Sequence, residues 1–188
     1  MGTMGRWEPD AEGRLQEAAM ALFRERGYAE VTVAEIAERA GLTKRTFFNH
    51  FADKREVLFA GSKIFEATVL DHLAEVDGDV DAVNAAVVAL TRTALPLAGY
   101  GELGKARQDI IASSPELRER DLIKMTSLAA AIAEALRKRG VPERTATFAA
   151  QSAVAVFTTA FADWVTNSGT DLETLMRQAL ADLREAIA

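Results

Sequence analysis

Gly41 to Leu58 reads GLTKRTFFNHFADKREVL. Lys44, Arg45, His50, Lys54 and Arg55 stand there among Phe47, Phe48 and Phe51, inside a chain whose net charge is −6. A glycine at the head of such a run supplies the positive φ of a tight turn without a Cβ penalty. Ala37, four residues upstream, is small enough for two helices to approach closely. Ile36, Ala40, Leu42 and Phe47 are phased to point inward from the helices on either side of Gly41. The pattern predicts a helix-turn-helix whose second helix, Thr43 to about His50, enters a major groove. Phe47 is the apolar knob of that helix and Phe51 closes its end, which leaves Phe48 as the ring facing out. Thr43, Lys44, Arg45, Thr46, Asn49 and His50 cover the exposed side. An arginine there can bridge guanine O6 and N7, an asparagine can read adenine, and a ring can press on thymine methyls. Thr32, Thr43 and Lys54 fall at helix N-termini, where backbone N–H groups and an ammonium suit phosphate oxygens.

Outward from this stretch the chain reads as helix throughout. Proline is scarce, at four residues in 188, while Ala, Leu, Glu and Arg abound. The first helix is expected from Asp10 to Arg26, with Leu15, Ala18, Ala19, Leu22 and Phe23 at helical spacing and Gly27 stopping it. Thr32 and Glu35 form a capping box for the second. Asp53 is expected to cap one long fourth helix reaching Val76. A fifth runs from about Asp79 to Pro96 and a sixth from Glu102 to Ala112. The seventh starts at Ser114-Pro115 and the eighth at Pro142. Thr170 and Glu173 suggest a capping box for the ninth. The prediction is an all-α protein of about nine helices. Residues 10–55 would form a three-helix DNA-binding domain and residues 56–188 a helical ligand-binding and dimerisation domain.

Apolar residues make up 49% of the chain and charged ones 27%, enough for a sizeable core. With no cysteine, disulfides, thiolate metal sites and a Cys nucleophile are excluded. No signal peptide or membrane span is expected, and the cytoplasm is the expected location. The acidic total hides a local asymmetry. Between Arg39 and Arg55, five Lys and Arg residues face only Asp53, and phosphate attraction acts over about 8 Å at physiological salt. His72 has no second histidine or cysteine near it, and Ser113-Ser114 has no recognisable base. Neither a metal, a cofactor nor a catalytic residue is expected, so the chain does not read as an enzyme.

The run GYAEVTVAEIAERAGLTKRTFFNHFADKREVL, Gly27 to Leu58, resembles the DNA-binding domain of the TetR (tetracycline-repressor-like) family of transcriptional regulators. The resemblance is specific over about residues 12–60 and looser beyond, where ARQDIIASSPELRER looks like actinobacterial members. It implies a homodimer that binds a palindromic double-stranded operator and leaves it when a small effector enters the C-terminal domain. By position it puts Thr32, Thr43, Lys44, Arg45, Thr46, Phe48, Asn49, His50 and Lys54 at the DNA. Many members carry tyrosine where this chain has Phe48, and that hydroxyl meets a phosphate; Phe48 offers apolar contact alone.

In the C-terminal half, an effector pocket is expected among helices four to eight. Phe65, Val69, Leu90, Leu97, Tyr100, Met125, Leu128 and Phe161 would supply apolar lining, with Thr91, Arg107, Gln108 and Gln151 as polar anchors. The last two helices carry more apolar surface than a monomer is expected to hide. Ala153, Phe157, Trp164, Leu172, Leu175, Met176, Ala179 and Leu183 are therefore candidates for dimerisation through a four-helix bundle. The function expected is a ligand-responsive repressor. The alternative is a constitutive DNA-binding protein, or an activator, without a small-molecule effector.

Overall fold

The computed structural model describes residues 10–96, 101–166 and 169–188. Leu97 and Tyr100, expected beside the effector, lie outside the described residues. Among those described, the chain forms nine α-helices and no strand. They are α1 (Ala11–Arg26), α2 (Val33–Arg39), α3 (Lys44–His50), α4 (Ser62–Glu75), α5 (Ala82–Ala94), α6 (Gly101–Ala112), α7 (Pro115–Lys138), α8 (Glu143–Thr166) and α9 (Leu172–Ala186). The chain divides into two compact units. One holds the residues up to Ala60 together with Asp109–Arg118, and the other holds Gly61–Gln108 and Glu119–Ala188.

In the first unit the Asp10 carboxylate accepts the Gly13 N–H at 2.8 Å and opens α1. Gly27, at φ 84°, ends it by donating to Phe23 O at 2.9 Å. Leu15, Ala19, Phe23, Ile36 and Phe47 are buried, so the inner stripes of α1, α2 and α3 meet in one core. Ile110, Ile111 and Leu117 join that core. Ten residues far along the chain thus complete a unit that periodicity suggests is contiguous.

The expected helix from Asp53 to Val76 is interrupted. Asp53 Oδ1 does accept the N–H groups of Arg55 and Glu56, at 2.8 and 3.3 Å. What it caps is a 3-10 turn over Arg55–Phe59, and Gly61 (φ 82°) separates this turn from α4. Val57, Leu58 and Phe59 are all buried. The turn cannot run on into α4, because the left-handed backbone of Gly61 lies outside the right-handed helical region.

In the second unit α5 packs against α4, α8 and α9. Small residues permit the close approach: Ala85, Ala86 and Ala89 on α5, Ala146, Ala149, Ala150 and Ala153 on α8 are all buried. Asp81, two residues past the expected start, caps α5 by accepting the Asn84 N–H at 3.0 Å. Asp171 rather than Thr170 caps α9, accepting the Thr174 N–H at 2.9 Å. The Arg139 guanidinium donates to the carbonyls of Leu73, Val76 and Asp77 and closes the C-terminal end of α4. By length and composition α8 is apolar enough to cross a membrane. Its apolar stripe is instead the centre of this unit's core.

Candidate nucleic-acid interface

α2 ends in a Schellman turn. Leu42 N–H donates to Ala37 O at 2.8 Å and Gly41 N–H to Glu38 O at 2.9 Å, with Gly41 at φ 67°. Thr43 Oγ1 then accepts the Thr46 N–H at 3.1 Å and shares a 2.9 Å hydrogen bond with the Thr46 hydroxyl, opening α3. Phe47 is fully buried and its ring lies 5.4 Å from that of Phe51, which is also buried. These two rings lock the inner side of α3. Phe48 stands edge-on to Phe47 at 5.5 Å and remains 52% exposed. Lys44, Arg45 and Asn49 are exposed beside it, and Thr46 is half-buried under its cap.

The five cations between Arg39 and Arg55 do not act alike. Arg39 pairs with Glu25 at 2.6 Å, and Arg55 with Asp53 at 2.6 Å and Glu116 at 3.4 Å. Lys54 turns inward: its Nζ donates to the carbonyls of Tyr28 and Val31 at 2.7 and 2.9 Å and sits 4.1 Å from the centre of the Tyr28 ring. Partial burial pushes its pKa down. The free phosphate-seeking ammonium expected of Lys54 is thus corrected to a clamp on the loop after α1. Lys44 and Arg45 have no ion-pair partner among the described residues, and they are the cations this face presents. His50 lies 3.9 Å from Glu12.

Thr32 is exposed, but its hydroxyl donates to Glu35 Oε2 at 2.7 Å and accepts the Glu35 N–H at 3.3 Å. Glu35 also accepts the Thr32 N–H at 2.8 Å and a 2.7 Å bond from Arg26. The Thr32 hydroxyl, then Arg26, hold the Glu35 pKa down at about 2. The N-terminus of α2 therefore already carries an anion of its own.

Two further contacts give no periodic signal in the sequence. Arg14 Nη2 donates to Ala40 O at 2.5 Å, reaching the turn from α1. Glu116, in the 109–118 segment, accepts from the Tyr28 hydroxyl at 3.5 Å and meets Arg55. Burial first, then Glu116, push the Tyr28 pKa up, so its hydroxyl stays a donor.

In the second unit Val69, Leu90 and Leu128 are buried in one core, with Phe65, Met125 and Phe161 packed on it. Phe65, Phe157, Phe161 and Trp164 form a ladder with ring centres 5.7, 5.7 and 5.4 Å apart. A Cβ on Gly101 or Gly104 would stand 3.5 Å from the Trp164 ring, so α6 meets it through bare backbone. Arg107 faces Asp121 at 3.9 Å, burial raises the Asp121 pKa, and Gln108 is half-buried. Gln151 is exposed, a correction to its expected place as a pocket anchor: Ala150 and Ala153 take the inner side of α8. An open cleft of about 350 Å³ lies elsewhere, lined by Ala74, Val76, Gly78, Val80, Ala82, Ala85, Leu136, Arg139 and Val141.

The expected dimer face also needs correction. Ala153, Phe157, Leu172, Met176 and Ala179 are buried within the chain's own core, and Trp164, Leu175 and Leu183 are half-buried against it. This apolar surface is covered within the chain, α9 packing on α8 and α5, Phe157 on Phe65 of α4, and Trp164 beside Gly101 and Gly104 of α6. The outer stripe of α8 is different: Phe148, Gln151, Ala155, Thr158 and Ala162 are exposed, Phe148 by 64%.

Comparisons with known proteins match both parts of the chain. Residues 15–60 fit the model of bacterial regulatory proteins of the tetR family, and residues 78–188, over half the chain, fit the MftR C-terminal domain. The HTH-type transcriptional repressor KstR2 of Mycobacterium tuberculosis is 44% identical over 46 residues, covering 24% of this chain and 23% of KstR2. The mycofactocin biosynthesis transcriptional regulator MftR of the same species is 23% identical over 122 residues, 61% of this chain and 58% of MftR. The chain thus aligns with less than two thirds of either relative's length. The crystal structure of Bacillus subtilis FadR in complex with stearoyl-CoA shares the fold, with TM-score 0.59, 22% identity, and coverage of 90% of this chain and 95% of that one. These regulators are not enzymes. The chain belongs to the TetR family of transcriptional regulators.

Proposed function

We propose that this regulator is a cytoplasmic homodimer that represses transcription from a palindromic operator and releases it when a small apolar or amphipathic molecule binds its second unit. The observation that carries the reading is the two-sidedness of α3. Phe47 and Phe51 lock its inner side while Lys44 and Arg45, with no ion-pair partner among the described residues, stand outside with Phe48 and Asn49. Arg45 and Asn49 read base edges. Lys44, with the Thr43 and Thr46 hydroxyls, meets phosphates; Thr32 and His50 lie at the rim of the contact. Lys54 supports it from within.

A palindrome follows from two-fold symmetry, with half-sites about 34–36 Å apart so that two copies of α3 enter successive major grooves. The outer stripe of α8 serves as the contact between copies. The effector's place is the ring ladder from Phe65 to Trp164, beneath the bare glycines of α6, with Arg107 and Gln108 further along that helix. FadR, in the same fold, holds stearoyl-CoA, an amphipathic ligand of the general kind proposed here. Effector and operator favour different arrangements of the dimer, so each lowers affinity for the other by the same factor.

Selection of bound duplexes from random DNA tests the reading. A palindromic consensus is expected, and Arg45→Ala is expected to relax preference at one base position in each half-site at a cost of about 1–3 kcal/mol. No enriched duplex at low salt would sink the proposal. An unchanged consensus with Arg45→Ala would remove Arg45 from the reading face.

A further inference from the structure

The recognition helix is seven residues long, too short to fix its own direction, so its angle depends on the turn before it. That turn is fastened from outside. The Ala40 carbonyl belongs to the C-cap of α2, where the negative end of the helix dipole lies. Ala40 is buried, and its oxygen receives Arg14 Nη2 at 2.5 Å from the second turn of α1. Gly41 is shaped to this contact as well as to its backbone angle. A Cβ there would stand 2.9 Å from Arg14 Nη2, so an alanine would crowd the guanidinium in addition to straining a φ of 67°.

We infer that Arg14 is a positioning residue for DNA recognition, a bolt from α1 through the α2–α3 turn that sets the angle at which α3 presents Arg45 and Asn49. The inference rests on the operator-binding reading above. Arg14 acts through the turn and not by touching DNA. A charged fork at a helix C-terminus gains from both hydrogen bonding and the dipole. A lysine keeps the charge but not the fork, and a methionine keeps only the stem.

The test compares wild type, Arg14→Ala, Arg14→Lys and Arg14→Met, at a temperature well below the melting point of each. The measured quantity is the ratio of affinity for the selected operator to affinity for a scrambled duplex of equal length, over a range of salt. Arg14→Ala is expected to lower this ratio by about tenfold, the order of one misplaced base contact. The salt slope should stay unchanged and Arg14→Lys should fall between. A purely structural role would lower the melting point and leave the ratio alone, which overturns the inference. So does a salt slope reduced by about one, because that marks a lost phosphate contact. Should Arg14→Ala not fold, the Lys and Met variants decide by the same criterion. A wild-type chain that prefers no duplex removes the DNA reading and this inference together. Wild-type preference with unmoved variants removes this inference alone.

Discussion

At the scale of single residues, the interface is defined by which charges are already spent. Lys44, Arg45, Lys54 and Arg55 look alike in the sequence, yet Lys54 is bound to two carbonyls and Arg55 to two carboxylates. Pattern reading reaches the polarity of α3 because Phe47 and Phe48 differ by one position on a helix. It cannot reach the fate of Lys54, because the carbonyls it meets lie 26 and 23 residues upstream. Thr32 and Glu35 are the opposite case, since a capping box is local and is legible in four letters. That box carries a pH dependence. Glu35 is held at about 2 against an ordinary 4.5, so the folded state binds its proton less readily than the unfolded chain. Its stabilising contribution is complete above pH 4.5 and is lost as the pH falls through about 2. Glu35→Gln keeps a side chain able to cap but removes the titration. Its melting temperature should therefore fall less steeply than wild type across that acid range. Parallel melting curves for the two proteins would show that Glu35 is not the group responsible.

At the scale of elements, helix existence is legible throughout and helix continuity is not. Asp53 and Glu56 are sound start signals, and both the expected and the observed element begin there. The break comes at Gly61, whose backbone leaves the right-handed helical region, just after Val57, Leu58 and Phe59 have entered the first unit's core. Gly61 records it at φ 82°. Nothing lies within 4 Å of where its Cβ would be, so a substitution there is penalised by backbone conformation alone. Gly61→Ala should cost about 1 kcal/mol, read as a lower urea midpoint with an unchanged slope. A midpoint equal to wild type would mean that the glycine conformation is not needed to separate the turn from α4. The 109–118 segment is a further limit of this kind. Ile110, Ile111 and Leu117 read as ordinary apolar positions of two helices, and nothing local says that they complete the core around Phe47.

At the scale of the whole molecule, the sequence shows that α8 and α9 are apolar but not which side meets which neighbour. The periodicity of α9 leads to Leu172, Met176 and Ala179, and these face α8 and α5 within one chain. Their outer counterparts Arg177, Gln178, Asp182 and Glu185 are polar and exposed. On α8 the opposite side to the core carries Phe148, Gln151, Ala155, Thr158 and Ala162, mostly small residues with one large exposed ring. Specific dimers bury about 800 Å² per partner around a few aromatic anchors, and Phe148 is the only aromatic side chain on this stripe. An aspartate there would put two like charges into the paired face, and because Phe148 lies outside the core the fold should survive. Phe148→Asp is therefore expected to sediment as a monomer with an unchanged helical circular dichroism spectrum at concentrations where wild type is a dimer. It should also lose affinity for a full palindrome while keeping wild-type affinity for an isolated half-site, since only the gain from linking two reading heads is removed. A variant that remains dimeric would assign the contact between copies to another surface, and one that loses half-site binding as well would show that the substitution harms the DNA-binding unit itself.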